Sequence, residues 1–244
     1  MKIHIDDGFR FGIGVFETIL LLENQPIFLE EHLKRLKKSA SHFQLEGSMD
    51  QDQIFDFLKG ENVPGKSVLK ITITSENLLL ERKEYSYGEE DFIKGFSLIE
   101  SSVLRNESSP FTYHKTLNYG DNIIEKRKAV SADYNEPYFA NTKGNIAEGA
   151  TTNLFFIKGN NIVTPPVSSG LLNGILREWV VENYKVIESE ICKKDYNQFD
   201  EIFLTNSLLG IMPVRSINNY ELPSMRKSFS LHKEYENFIK NKIR

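Results

Sequence analysis

The chain has 244 residues, 40% hydrophobic and 26% charged, with 30 Lys+Arg against 34 Asp+Glu. That balance argues against disorder, and a formal net charge of −4 gives no reason to expect a nucleic-acid partner, whose footprint would be a basic face. The length suits one large domain or two small ones, and the single cysteine, Cys192, rules out an intrachain disulfide.

Residues 1–7 hold no apolar run of signal-peptide length, and nowhere do about 18 apolar residues run together. A cytoplasmic protein without a membrane span is expected. Along the chain, residues 16–22 read as a strand, dense in Phe, Thr, Ile and Leu. Residues 29–43 carry Leu29, Leu33, Leu36, Ala40 and Phe43 at the helix period, and a second helix is predicted over 51–58. Strands are predicted at 68–74, where apolar residues alternate from Leu69 onward, and at 96–103. After the loop Glu107-Ser108-Ser109-Pro110 come a helix over 122–133 and short strands at 138–140, 153–157 and 161–164. A helix over 172–184 holds the only tryptophan, Trp179; a strand at 201–205 and a helix over 231–243 follow. Cys192 lies in a hydrophobic–polar alternation and is expected to be a small buried packing residue. The elements mix without a clean βαβ alternation, so the fold class is α+β. It divides into a smaller N-terminal α/β lobe, 1–106, and a larger C-terminal lobe, 107–244.

The chain has no Walker loop, CxxC, HExxH or GxSxG. Gly12-Ile13-Gly14 starts like a dinucleotide fingerprint but lacks the third glycine, and reads as a turn. The five histidines (His4, His32, His42, His114, His232) show no metal-ligand spacing, so no metal is expected. Lys115 lies in the apolar, aromatic run Tyr113-His114-Lys115-Thr116-Leu117-Asn118-Tyr119. Burial disfavours an ammonium, and a neutral amine attacks aldehydes; the plain alternative is a solvated lysine at a strand end. Glu148 precedes small and hydroxyl residues and then an apolar strand, where a turn carboxylate is the plain alternative. The loop 164–174 runs into a helix, whose N-terminal N–H groups suit a phosphate.

Six segments in order resemble the fold-type IV pyridoxal 5'-phosphate (PLP) enzymes. That family includes branched-chain aminotransferases, D-amino acid aminotransferases and 4-amino-4-deoxychorismate lyases. The first two are Asp7-Gly8-Phe9-Arg10-Phe11-Gly12-Ile13-Gly14-Val15-Phe16-Glu17-Thr18 and Glu31-His32-Leu33-Lys34-Arg35-Leu36. Next come Lys115-Thr116-Leu117-Asn118-Tyr119 and Glu148-Gly149-Ala150-Thr151-Thr152-Asn153-Leu154-Phe155. Gly174-Ile175-Leu176-Arg177 and Thr205-Asn206-Ser207-Leu208-Leu209-Gly210-Ile211-Met212-Pro213-Val214 complete the set. The resemblance implies the two-lobed fold of D-amino acid aminotransferases, with the larger lobe binding PLP, and a homodimer acting on a small-molecule amine.

It also implies roles. Lys115 matches the lysine that carries the cofactor as a Schiff base and shuttles the proton, and Glu148 the acid facing the pyridine nitrogen. Arg35 matches the phosphate-binding arginine and Tyr119 the tyrosine on the cofactor's phenolic oxygen. Ile175 and Leu176 match backbone donors to the phosphate, with Asn206 and Ser207 helping, and Asn153 counts among the cofactor contacts. Phe16, Lys70, Arg82 and His114 are the candidate substrate contacts. Aminotransferases of the family typically carry Thr at the place of Leu176, and Glu-Ile-Thr-Pro-Val where this chain has Gly210-Ile211-Met212-Pro213-Val214. Apolar residues there resemble the lyases, as does Lys70 in its strand, so the lyase is the first expectation. An aminotransferase is the second and a catalytically silent PLP-fold protein the third. The arginine- and glycine-rich stretch that usually follows the Lys70 strand is replaced by residues 75–83, leaving Arg82 or Lys83 to meet substrate carboxylates. By the same resemblance the first strand is clipped.

Overall fold

Residues 3–47, 49–60 and 63–243 are described in a computed structural model; Met1 and Lys2, at the start of the segment read for a leader, lie outside them. By contacts the chain forms two units, each around its own sheet. One comprises Met1–Ser86, His114–Tyr119 and Ile239–Arg244, the other Tyr87–Tyr113 and Gly120–Phe238. The units interleave along the chain.

The first unit holds α1 (Asp7–Phe11), β1 (Val15–Leu22), β2 (Gln25–Pro26), α2 (Leu29–His42), α3 (Gln51–Lys59), β3 (Lys66–Ile73) and β4 (Leu78–Glu84). Its antiparallel sheet runs β2-β1-β3-β4. Strand alternation sends Val15, Ile19 and Leu21 of β1 and Leu69, Ile71 and Ile73 of β3 to one face. There they pack with Leu29, Leu36 and Ala40 of α2 and Ile54 and Leu58 of α3. Full burial of such side chains stabilises by about 1.5–3 kcal/mol each. The opposite face carries Phe16 and Thr18 of β1 across from Thr72 and Lys70 of β3. α3 opens on a capping box: Asp50 Oδ1 accepts from Gln53 N at 2.9 Å, and Gln53 Oε1 from Asp50 N at 3.1 Å. Gly12 ends α1 at φ +71°, a conformation that favours glycine, which accounts for the first member of the Gly12-Ile13-Gly14 turn.

The second unit holds α4 (Glu89–Lys94), β5 (Phe96–Glu100), α5 (Gly120–Ser131), β6 (Glu136–Ala140), β7 (Ile146–Gly149), β8 (Asn153–Lys158), β9 (Asn161–Thr164), α6 (Ile175–Asn183), β10 (Val186–Glu188), β11 (Glu201–Asn206), β12 (Gly210–Ile217), β13 (Tyr220–Glu221) and most of α7 (Arg226–Lys242). The sheet order is β10-β9-β8-β11-β12-β5-β6-β7, with β13 on β12. β12–β5, β5–β6 and β9–β10 are parallel and the other pairs antiparallel. With one antiparallel and one mixed sheet, the class is α+β, as expected.

Three differences from the sequence reading have local causes. α7 starts at Arg226, five residues early, because the Glu201 carboxylate of β11 accepts from Lys227 N (2.9 Å) and Ser228 N (2.8 Å), a cap supplied from outside the helix. α6 starts at Ile175, because both backbone groups of Leu172 are engaged by side chains: its N–H donates to Glu148 Oε2, and its carbonyl accepts from Asn153 Nδ2. β12 was masked by Pro213, which cannot donate to a ladder; the β5 pairing begins one residue later, at Val214. Cys192 is a correction: it is exposed, because the alternation buries its neighbour Ile191 instead.

Candidate functional site

Lys115 lies in the first unit, on a segment that adds to the free side of the β1 start. Val15 bridges Thr116 antiparallel, Phe16 N donates to Lys115 O and Leu117 N to Gly14 O, both at 2.9 Å. Lys115 therefore stands opposite Phe16 and shares its face, with Nζ 4.5 Å from the Phe16 ring centroid and 5.4 Å from that of Tyr119. The two rings meet edge to face at 5.5 Å. Lys70 Nζ lies 5.2 Å from the same Phe16 ring. Burial, together with the charge of Lys83, lowers the Lys70 ammonium below the ordinary lysine range, against the pull of Glu81.

Register decides which candidate substrate contacts share this face. Glu81 and Lys83 stand across from Lys70 and Val68, while Arg82 stands across from core-facing Leu69 and donates to Asn24 Oδ1 at 2.7 Å. Glu81 forms ion pairs with both cations, Lys83 Nζ at 3.5 Å and Lys70 Nζ at 3.9 Å. His114, one residue before Lys115, points the other way. It bonds Ser39 Oγ at 2.9 Å and stacks on His42 at 4.4 Å. The structure thus brings Phe16, Tyr119 and Lys70 together with Lys115, and turns Arg82 and His114 to the other side.

Arg35 holds a buried carboxylate. Arg35 Nε and Nη2 donate to Glu17 Oε1 and Oε2, both at 2.7 Å, and His32 Nδ1 reaches Glu17 Oε2 at 2.7 Å. Glu17 is on the helix-packed face of β1, and His32 and Arg35 are one turn apart on α2, so helix and strand periods bring the three together. Burial alone would raise the Glu17 carboxyl, but Arg35 and His32 outweigh it and hold it below the usual carboxylate range. Burial keeps His32 below its usual value, with the charges of Arg35 and Lys115 adding to the effect against Glu17.

Both shifts make the folded chain release protons more readily than the unfolded one. The contribution of these two groups to stability is therefore fully present above the ordinary histidine value of 6.5, falls as pH drops through it, and falls further below the ordinary glutamate value of 4.5. Thermal melting should show a lower Tm at pH 5.5 than at pH 7.5, and His32→Asn should flatten that interval; an unaltered slope in the variant would show that His32 does not set it.

In the second unit, β7 places Glu148 on a strand rather than in a turn, paired with Phe139 of β6. Glu148 Oε1 meets Arg105 Nε at 3.0 Å and Oε2 accepts from Leu172 N at 2.9 Å. The Arg105 guanidinium stacks on the Phe139 ring at 3.8 Å and donates from Nη1 to Asn122 Oδ1 at 3.3 Å. Asn122 in turn donates to Ala150 O at 2.6 Å, tying α5 to the turn after β7. The nine-residue α6 begins after Gly174 without a side-chain cap, and a Cβ at Gly174 would stand 2.3 Å from Asn153 Oδ1. Ile175 and Leu176 are buried there. Asn206 organises backbone: Oδ1 accepts from Leu208 N (2.9 Å) and Leu209 N (2.8 Å), and Nδ2 donates to Thr151 O (3.1 Å), with Ser207 half-buried on the same turn.

The sequence reading missed Glu17, His32 and Arg105. Glu17 and His32 were legible as a polar position in an apolar strand and a histidine at helix spacing from Arg35; Arg105 had no local signal. Among the described residues no His/Cys/Asp/Glu cluster has metal-holding geometry, and no helix is long and apolar enough to cross a membrane.

The model of the amino-transferase class IV family matches residues 14–217, and the chain belongs to that family of enzymes, which spans lyases and aminotransferases. It is 30% identical to the aminodeoxychorismate lyase of Bacillus subtilis (strain 168), over 98% of this chain and 89% of that protein. It is 27% identical to the D-alanine aminotransferase of Bacillus licheniformis, over 90% of this chain and 84% of the relative. Among solved structures, a provisionally named 4-amino-4-deoxychorismate lyase from Legionella pneumophila superposes with a TM-score of 0.84 at 28% identity, covering 96% of this chain and 95% of the other.

Proposed function

We propose that this protein is a PLP-dependent 4-amino-4-deoxychorismate lyase that releases pyruvate and forms 4-aminobenzoate. The observation that carries the lyase reading over an aminotransferase is the pair Leu176 and Met212. Both are buried apolar side chains where the aminotransferases typically carry threonine. The likeness to the Bacillus subtilis lyase over almost the whole chain supports it. The donor set fits the cofactor: an amine among aromatic rings, a carboxylate held by an arginine, and a helix N-terminus without a side-chain cap. In this reading Lys115, Tyr119, Arg35, Glu148, Asn153, Asn206, Ser207 and the backbone N–H groups of Ile175 and Leu176 hold PLP, chiefly from residues 107–244. A cytoplasmic homodimer acting on a small-molecule amine accompanies it.

The cofactor, when bound, supplies a protonated ring that accepts negative charge from the carbon beside the substrate's amine. Glu148, its own charge balanced by Arg105, would accept the ring's N–H. Lys115 Nζ takes the proton from the amine-bearing carbon as general base. Loss of that proton and of the enolpyruvyl group leaves an aromatic ring; the departing enol takes up a proton and becomes pyruvate. Lys70 and Lys83 present cations to the substrate's two carboxylates. Lys83→Ala should raise KM roughly tenfold with kcat little changed, the loss of one charge-assisted contact, whereas Arg82→Ala should not. Steady-state kinetics on both variants decides between the two positions.

The deciding experiment offers PLP-loaded protein 4-amino-4-deoxychorismate and, separately, L-glutamate, L-leucine and D-alanine, following products and cofactor absorbance. Formation of 4-aminobenzoate with pyruvate, the cofactor spectrum returning after each turnover, supports the lyase. Conversion of the cofactor to its amine form by an amino acid alone makes the protein an aminotransferase.

A further inference from the structure

His32 and Glu17 of the first unit form a sealed ionisable pair, at 0% and 1% side-chain exposure, and neither has a part in the chemistry above. Burying an imidazole beside a carboxylate is costly unless the polar atoms are used. His32 Nε2 has no hydrogen-bond partner among the described residues, so the one polar contact the ring makes is from Nδ1 to Glu17 Oε2. A leucine would fill similar space without burying Nε2. What the histidine adds is that single hydrogen bond.

The bond bears on Arg35. The Glu17 carboxylate accepts from Arg35 through both oxygens, in the bidentate fork that fixes the guanidinium plane, and Oε2 is shared with His32. Rotating the carboxylate would carry the guanidinium with it, and the His32 contact opposes that rotation. His32 and Arg35 sit three residues apart on one helix, so both donors reach the carboxylate from a single rigid support. Arg35 keeps 15% of its side chain exposed while its two partners are sealed, so the sealed pair can orient it but cannot itself meet a ligand.

We propose that His32 is a positioning residue that acts through Glu17 to hold the Arg35 guanidinium in the orientation that receives the cofactor's phosphate. The proposal rests on the reading that Arg35 is a phosphate contact. Binding of PLP and of pyridoxal, which lacks the phosphate, to the cofactor-free protein isolates that contact, since Lys115 serves both aldehydes equally. Arg35→Ala should lower the ratio of PLP to pyridoxal affinity by on the order of a hundredfold, the loss of a bidentate charged contact. His32→Leu and His32→Gln should lower it roughly tenfold, because Gln carries its amide N–H near the place of Nε2 and misses Glu17. His32→Asn, with its amide near the place of Nδ1, should keep the ratio. If His32→Leu does not fold, the Gln and Asn pair decides. A ratio unchanged in His32→Gln but collapsed in Arg35→Ala overturns the role of His32 and leaves Arg35 as the phosphate contact. A ratio unchanged in Arg35→Ala removes the reading on which the proposal rests.

Discussion

Replacing Lys115 by alanine should abolish turnover, by at least about 10⁴-fold when both a covalent attachment and a general base are lost. The yellow absorbance of lysine-bound cofactor should disappear with it. Backbone hydrogen bonds to Phe16 of β1 and to Gly14 just before it hold the segment around Lys115 in place, and the rings of Phe16 and Tyr119 lie 4.5 and 5.4 Å from its Nζ. The attachment of the segment is made by backbone, so Lys115→Ala should melt close to wild type, separating loss of chemistry from loss of fold. Lys115→Arg retains a charge but offers no amine that forms a Schiff base, and it should be equally dead. Spectra and product formation check this directly. Turnover surviving in Lys115→Ala would remove the central role of the residue.

The second large effect is expected at Glu148. One oxygen pairs with the Arg105 cation, 3.0 Å from its Nε, and the other accepts from Leu172 N. Glu148→Gln keeps the size but turns one of two acceptors into an amide N–H, which then faces a donor and leaves Arg105 without its counter-charge. Breaking one side of a buried ion pair costs about 3–5 kcal/mol in the limit, and less here because both side chains keep some exposure, so Tm should fall measurably. The larger consequence is chemical: a neutral amide does not keep the pyridine nitrogen protonated, and proton abstraction should slow by roughly 10²–10⁴-fold, the range attributed to well-placed acid–base groups. Cofactor should still bind through Lys115, which absorbance titration verifies. A rate equal to wild type, with cofactor bound, would show that Glu148 does not serve the ring nitrogen.

Much of this was legible in the residues. Period-2 and period-3.6 patterns located β1, α2, α3 and β3 to within a few residues, because each element buries one face against one core, and that requirement is written locally. The motif resemblance identified the family and nominated Lys115, Glu148 and Arg35 before any packing was known. Tertiary structure decided the rest. Strand register turned Lys83 rather than Arg82 toward the face of Lys70, since a one-residue step reverses a side chain and the register of β4 depends on its partner. Glu201 extended α7 by a turn, and Glu148 with Asn153 held Leu172 out of α6, because backbone groups were satisfied by side chains 25 or so residues away in sequence. Cys192 fell on the outward phase of its alternation. Arg105 was paired with Glu148 across 43 residues, and the bond from His32 to Glu17 could be seen only once α2 lay on β1. Sequence by itself determined which residues prefer which local geometry and which carry reactive groups. Long-range pairing determined which of those groups meet, because a buried charge is stable only beside the partner that neutralises it.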